Sequence, residues 1–362
     1  MLFYIVLFLF LLIIGIYTDK EIISINDKTI ISQKFYAKIM CFILLIIACI
    51  RYNIGTDYDL YQGIYESGIE KQLELGWLYF SISNLLRNIG LDYQFLLFLN
   101  SAIFMIAVYF LIQKYSPYKY ISILILLGSY TYFSSLNTFR QFSSISLIIL
   151  ALILFYKYKK IIFAFLIILL AIGLHKSAIV FLPLFIFKVI KIRLTVYQIL
   201  LWVCLCSFFL LSEELKSLIF NQVLNMNAFF GEKYTGSVFI ADNNRSLVNQ
   251  IFYLFYWIVT FTFVQQKKNR GEKLDWIESC FLLYFILNSF LPYSTLVIRL
   301  NYLFSLLSVI IFPRFILLQN KSGTRNIIKI IIIIIFFIRM ISVLMNNGDG
   351  VVPYETIFNN FE

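Results

Sequence analysis

Residues 95–112 read FLLFLNSAIFMIAVYFLI, an unbroken stretch without a single charge, in which Asn100, Ser101 and the Tyr109 hydroxyl are the only polar groups. A bilayer crossing needs ~20 predominantly apolar residues and tolerates ~17–25, and a helix is the one local structure that satisfies its own backbone polar groups in hydrocarbon. The stretch therefore reads as a transmembrane helix. Working outward, similar runs lie at Leu2–Tyr17, Phe35–Ile50, Tyr120–Leu136, Phe142–Tyr156, Ile161–Leu174, Ala178–Ile190, Tyr197–Leu211, Val248–Val264, Trp276–Leu291, Leu296–Ile311 and Ile327–Met345. The expectation is an all-α polytopic integral membrane protein with about twelve transmembrane helices, residues 1–362 forming one membrane domain.

Composition supports that class independently. With 61% hydrophobic residues, 14% charged residues and a mean hydropathy of +0.87, a soluble domain of this length could not cover its own surface. The net charge of +11 would point to nucleic acid in a soluble chain, but here the basic residues concentrate in short loops between apolar runs, the signature of membrane topology. No nucleic-acid partner is expected.

The loops orient the chain. Lys20, Lys28, Lys34 and Lys38 flank the first connection, Lys114 and Lys119 the third, and Lys157, Lys159 and Lys160 the fifth. Lys188, Lys191 and Arg193 follow, then Lys267, Lys268, Arg270 and Lys273, then Arg314, Lys321, Arg325 and Lys329; together these loops hold two thirds of the 30 Lys and Arg residues. Alternate loops are basic throughout, so both termini are expected on the extracytoplasmic side. The first run lacks a basic leader and a small-residue cleavage site and reads as a retained anchor. Two longer extracytoplasmic loops, 51–93 and 212–247, are where a substrate would meet the protein. Within the first, the spacing over Leu73–Ile89 predicts an amphipathic interfacial or re-entrant helix.

Cys41, Cys49, Cys204, Cys206 and Cys280 all lie in apolar runs, without zinc or CxxC spacing, and read as small buried hydrophobes. With one histidine, neither a metal nor another cofactor is expected. Asp57 and Asp59 form a DxD pair, but beside Arg51 they read as an ion pair and substrate contact.

Ionisable residues at the rim of a bilayer are costly and therefore candidates for function. The segment Arg51-Tyr52-Asn53-Ile54-Gly55-Thr56-Asp57-Tyr58-Asp59-Leu60-Tyr61 leaves the second run at its outer end. Arg51 can fork two hydrogen bonds to a phosphate or carboxylate, and Tyr58 and Tyr61 offer faces for sugar stacking; as interfacial anchors the same residues would serve equally. In Asn137-Thr138-Phe139-Arg140-Gln141, Arg140 and Gln141 open a helix whose free N–H groups favour an anion, although an arginine capping a turn has the same sequence. His175, in Gly173-Leu174-His175-Lys176-Ser177, suits a general base or a donor to a departing oxygen, or a structural turn. Arg299 follows Pro292-Tyr293-Ser294-Thr295 and precedes Asn301-Tyr302. Arg245 lies in the second long loop, while Arg339, deep in the last run, receives no role.

In order, Arg51 to Tyr61, Glu74-Leu75-Gly76-Trp77, Asn137 to Gln141, His175-Lys176-Ser177, Arg299 to Tyr302 and Pro353-Tyr354 resemble the motif series of the EpsG family of Wzy-like exopolysaccharide polymerases, over nearly the whole chain. The resemblance implies an enzyme of capsule, O-antigen or exopolysaccharide assembly in the bacterial cytoplasmic membrane. Its donor and acceptor would be oligosaccharide repeat units on undecaprenyl pyrophosphate, with chain-length regulators and flippases as partners. It further implies Arg140 and Arg299 on the donor pyrophosphate, Arg51 as a clamp, His175 or Asp57 as the base, and Tyr58, Tyr61, Glu74, Trp77, Asn137, Gln141, Arg245 and Tyr302 as substrate contacts. A fold similar to the polyprenyl-dependent glycosyltransferases is implied by analogy. A lipid-linked oligosaccharide flippase, an O-antigen ligase and a membrane O-acetyltransferase remain as alternatives.

Overall fold

The computed structural model describes residues 1–21, 27–68, 76–188, 192–225 and 245–360. Glu74, Lys191 and most of the 212–247 loop, Tyr234 and Asp242 included, lie outside the described residues. The described chain is helical and among its residues no strand forms; the one sheet-like contact is an isolated antiparallel bridge between Arg51 and Thr356.

The helices are α1 (Leu2–Glu21), α2 (Asp27–Cys49), α3 (Tyr58–Ser67), α4 (Trp77–Asn88), α5 (Tyr93–Tyr115), α6 (Lys119–Gly128), α7 (Thr131–Asn137), α8 (Phe139–Tyr156) and α9 (Ile161–Leu174). A 3-10 helix, Lys176–Lys188, follows, then α10 (Leu194–Leu210), α11 (Glu213–Asn225), α12 (Leu247–Asn269), α13 (Trp276–Phe290), α14 (Thr295–Leu306), α15 (Ser308–Leu317) and α16 (Ser322–Asn346). They form two compact units, residues 1–185 with 321–362, and residues 186–320.

The chain is a polytopic membrane protein, but the expected count of about twelve spans needs correction. Among the described residues five helical stretches are long and apolar enough to cross a bilayer: α5, α8, α12, the run Thr295–Leu317 and α16. A sixth is reached if α10 and α11, bent by 110° at their junction, count as one broken span. Leu2–Tyr17, α6, α9 and α13 are apolar but shorter. Local breaks account for much of the difference. Tyr120–Leu136, read as one span, divides where Tyr130 adopts φ +68°, a left-handed conformation that ends a right-handed helix. Ala178–Ile190 carries Pro183 and falls largely in the 3-10 helix rather than an α-helix; at ~2.0 Å rise per residue, its 13 residues extend over ~26 Å.

In the first unit, small polar side chains stitch neighbouring helices together, as expected where lipid removes the hydrophobic drive for association. Ser143 Oγ donates to Asn100 Oδ1 (2.6 Å) between α8 and α5, and Ser144 Oγ donates to the Ala171 carbonyl (2.8 Å) between α8 and α9. Glycine lets two further pairs approach. A Cβ at Gly15 of α1 would meet the Tyr120 ring at 2.3 Å, and one at Gly128 of α6 would stand 2.4 Å from Phe336 Cβ and 2.7 Å from its carbonyl oxygen on α16.

The second unit packs α10 against α12 and α13. Phe208 stacks on Tyr253 at 3.7 Å, Trp257 Nε1 donates to the Leu201 carbonyl (2.8 Å), and Tyr253 and Ser289 share a 2.6 Å hydrogen bond. Buried Glu278 receives Lys267 Nζ (2.7 Å) and Arg314 Nη1 (2.8 Å), while Arg314 also holds Asp275 (2.8 Å). Two cations thus offset the desolvation of one carboxylate.

The cysteine expectation holds for Cys41, Cys204 and Cys280, which are buried; Cys49 is half-buried and Cys206 exposed. Two positions on a helix separated by two residues point to different faces, so Cys204 and Cys206 cannot both face inward.

Gly128→Ala should strain the α6–α16 contact by about 1–3 kcal/mol, lowering the unfolding temperature of the purified protein. Gly63→Ala, on α3 where nothing lies within 4 Å of the new Cβ, should leave it unchanged or raise it.

Candidate active site

Where α2 ends, residues 50–57 leave the helical ladder and find other backbone partners. Ile357 N–H donates to the Ile50 carbonyl (3.0 Å), Tyr52 N–H to Glu355 (3.0 Å), Gly55 N–H to Gly350 (2.9 Å) and Thr56 N–H to Asp349 (3.2 Å). The stretch after α16 therefore runs along the stretch after α2. Gly55 makes this possible: its φ is +107°, and a Cβ there would lie 3.1 Å from the Asn137 Cα. Asn137, at the end of α7, accepts from Asp57 N–H (3.1 Å) and the Thr56 hydroxyl (3.2 Å) through Oδ1, and donates through Nδ2 to Asp349 Oδ1 (3.1 Å). Ser134 Oγ donates to the other Asp349 oxygen (2.9 Å).

Arg51 is wholly buried. Its Nη1 donates to the Ala48 carbonyl and to Ser101 Oγ (3.0 Å). Burial pushes its pKa below the ordinary guanidinium value, against the opposing pull of Tyr93, Tyr132, Cys49 and Tyr58. The expected Arg51–Asp57 ion pair is not formed, because Arg51 turns inward while Asp57 lies beyond the Gly55 turn, half-buried at the start of α3. Asp57 makes no side-chain bond to the α3 amides, so its carboxylate is not consumed as a helix cap. Among the described residues no group of His, Cys, Asp or Glu side chains could hold a metal ion.

Below this loop lies an aromatic cluster of Tyr58, Tyr65, Tyr79, Tyr93 and Phe139 with Leu86, Leu96, Leu97 and Leu174. Tyr58 is part of it, edge-on to Tyr52 (5.8 Å) and Tyr93 (5.4 Å), and burial pushes its hydroxyl up to about 12. It is a neutral core residue with little open face. Tyr61 is only half-buried and meets Phe139 edge-on at 4.9 Å. Arg140, the second residue of α8, lies with Cζ 5.6 Å from the Tyr61 ring centre and 5.5 Å from that of Tyr79. A guanidinium on aromatic faces keeps its charge while its orientation is restrained. The first turn of α8 adds the positive end of its dipole. Gln141, by contrast, is buried.

α4 spans Trp77–Asn88 and buries Tyr79, Ser83 and Leu86 while exposing Leu85; it is the amphipathic helix expected within Leu73–Ile89, too short to cross. Its start is bound to the end of α9 by two glycines. A Cβ at Gly76 (φ +125°) would strike the Gly173 carbonyl at 2.5 Å, and one at Gly173 would strike the Trp77 ring at 2.7 Å. The exposed Trp77 thus sits beside the turn that carries His175. There Ser177 N–H donates to His175 Nδ1 (3.3 Å), and Ser177 Oγ lies 2.6 Å from the same nitrogen. A ring nitrogen accepting from an amide carries no proton, so neutral His175 has its hydrogen on Nε2.

In the second unit, the half-buried Arg245 places its Nε 3.2 Å from Glu213 Oε1, over the rings of Phe208 (4.8 Å) and Tyr293 (5.2 Å). Glu213 also holds Lys216 Nζ (3.0 Å) and accepts from Tyr293 N–H (2.8 Å). Burial lowers the pKa of both cations, and Glu213 opposes the shift in each. Arg299 and Tyr302 are half-buried on α14.

The first unit therefore places Asp57, Tyr61, Trp77, Arg140 and His175 at or next to members of one aromatic cluster, whereas Arg51, Tyr58, Asn137 and Gln141 are buried. Sequence reasoning missed Tyr79, Ser134 and Asp349. The turn-rich run Asn346-Asn347-Gly348-Asp349-Gly350 was the available signal for the last.

Fold and site together define a polytopic membrane protein with a cationic, tyrosine-lined cluster where several helices of one unit terminate. The chain belongs to the EpsG family, whose family model matches residues 34–356; members of this family are Wzy-like polymerases. The matched region closes on Thr356, the bridge partner of Arg51. No curated protein and no solved structure matches the chain.

Because the chain has one histidine, ¹⁵N-histidine labelling gives a single pair of ring signals. At neutral imidazole these should report hydrogen on Nε2, and Ser177→Pro, which removes the donating amide, should mix the tautomers.

Proposed function

We propose that the protein polymerises oligosaccharide repeat units carried on undecaprenyl pyrophosphate, at the outer face of the bacterial cytoplasmic membrane. The observation that carries this reading is Arg140 at the first turn of α8, lying over Tyr61 and Tyr79, in a chain of the EpsG family. Sugars stack on aromatic faces, and a leaving pyrophosphate gains most from a fixed guanidinium and helix N–H groups where its charge develops.

In the proposed reaction an acceptor hydroxyl attacks the anomeric carbon of the donor. The bond from that carbon to the pyrophosphate oxygen breaks, and the lipid pyrophosphate leaves with the electron pair. Asp57 takes the hydroxyl proton, since its carboxylate caps no helix. His175 offers Nε2–H to phosphate oxygen rather than acting as the base, because Nδ1 already accepts from Ser177. Trp77, exposed beside His175, contacts sugar. Arg299, Tyr302 and Arg245 are retained as contacts to the lipid-linked substrates. Glu74 is retained as a sugar contact on family resemblance. Arg51, buried beneath the loop, acts through its charge and through the bridge to Thr356.

The test is to delete the gene and complement with wild type, Arg140→Ala or Arg140→Lys, following lipid-linked saccharides and surface polymer. Wild type should restore polymer. Arg140→Ala should lose on the order of 10²–10³ in rate and accumulate single repeat units facing outward, and Arg140→Lys should lose most activity because a point charge cannot reproduce the planar fork. Near-normal polymer length in Arg140→Lys would overturn the arginine's role. Units trapped on the inner leaflet would instead indicate a flippase, and full-length polymer lacking only a substituent a modifying transferase.

A further inference from the structure

We propose that Asn137 and Asp349 are positioning residues, a hydrogen-bonded clamp that holds the Asp57 backbone in register with the end of α7. The inference rests on the reading of Asp57 as the proton acceptor. It changes the part of Asn137 from substrate contact to support, and it gives Asp349 a part that its sequence neighbourhood did not disclose.

The geometry accounts for nearly all of the Asn137 side chain. A carboxamide has two acceptor lone pairs and two donor hydrogens. Both lone pairs are used, by Asp57 N–H at 3.1 Å and by the Thr56 hydroxyl at 3.2 Å, and one hydrogen goes to Asp349 at 3.1 Å. The residue is also buried. Little remains with which to recognise a sugar.

Asp349 links three segments distant in sequence. Its carboxylate receives Asn137 Nδ2 and Ser134 Oγ at the end of α7, and its carbonyl receives Thr56 N–H from the loop. The tail is set independently, since Asn347 Oδ1 accepts from Val351 N–H (2.9 Å) and Val352 N–H (3.0 Å), and Tyr4 donates to the Val351 carbonyl (2.9 Å). The amides of three consecutive loop residues, Gly55, Thr56 and Asp57, are therefore held by Gly350, Asp349 and Asn137 in turn. Asp57 is the last of them and the first residue of the site. Because α8 begins at Phe139, directly beyond Asn137 and Thr138, the clamp relates Asp57 to the helix end that carries Arg140.

Donor–acceptor reversal tests the clamp. Asn137→Asp sets two carboxylates against each other and removes the donor, so polymer output should fall ~10-fold or more, and amide exchange at residues 55–57 of the intact protein in detergent should quicken by a similar factor. Adding Asp349→Asn restores a donor opposite an acceptor and leaves Oδ1 of residue 137 available to the loop; both readouts should return towards wild type. Asp349→Ala should accelerate exchange in the same peptide while the α5 and α8 amides stay protected, separating loss of the clamp from loss of the fold. If the double variant regains slow exchange but makes no polymer, Asn137 contacts substrate and the proposal fails. It also fails if Asp349→Ala leaves exchange and polymer unchanged. Exchange needs no substrate, so the clamp can be judged even if wild-type complementation were to refute the polymerase reading.

Discussion

Hydrocarbon offers no hydrogen-bond partners, so wherever this chain departs from a helix at membrane depth its backbone must be satisfied by other protein groups. The same need for partners arises where the chain leaves α2 at residues 50–57, and the answer there is the 349–357 strand-like tail, whose carbonyls and amides match those of the loop in sequence. The Gly55 and Gly350 conformations, the Asn137 and Asp349 pairing, and the inward turn of Arg51 all follow from bringing these two segments together. The candidate active site is built on the outer edge of that pairing.

Chemically, the site combines restraint with charge. Arg140 is limited by two tyrosine rings and a helix start, His175 by the amide of Ser177, and Trp77 by a glycine-to-glycine approach between α4 and α9. Each device fixes the orientation of the group it holds, the kind of preorganisation that favours a charge developing in a reaction. Arg51 differs. A guanidinium buried among tyrosines, with a serine and a carbonyl as its side-chain partners, resembles a structural element more than a hand reaching for substrate.

The helical, membrane-spanning character could be read from apolar length alone, and the short polar motifs placed Arg140 at a helix start and His175 in a turn, as the structure has them. Span number could not be read that way, because hydropathy does not register a left-handed Tyr130 or a 3-10 run around Pro183. Direction of side chains was equally hidden: Arg51 and Tyr58 are polar or amphipathic residues in a polar segment, and only the reversal at Gly55 shows that they face inward. Asp349 escaped notice because its partners are more than 200 residues away, and such pairings leave no local periodicity.

The pairing of the early loop with the late tail has a consequence for biogenesis. Residues 50–57 emerge from synthesis soon after α2, but their backbone partners are made only after α16 has been completed. Throughout insertion the loop lacks its template. Organisation of this loop is thereby tied to synthesis of the tail, so molecules cut short before residue 349 would keep α1 to α16 and lose the pairing that orders residues 50–57.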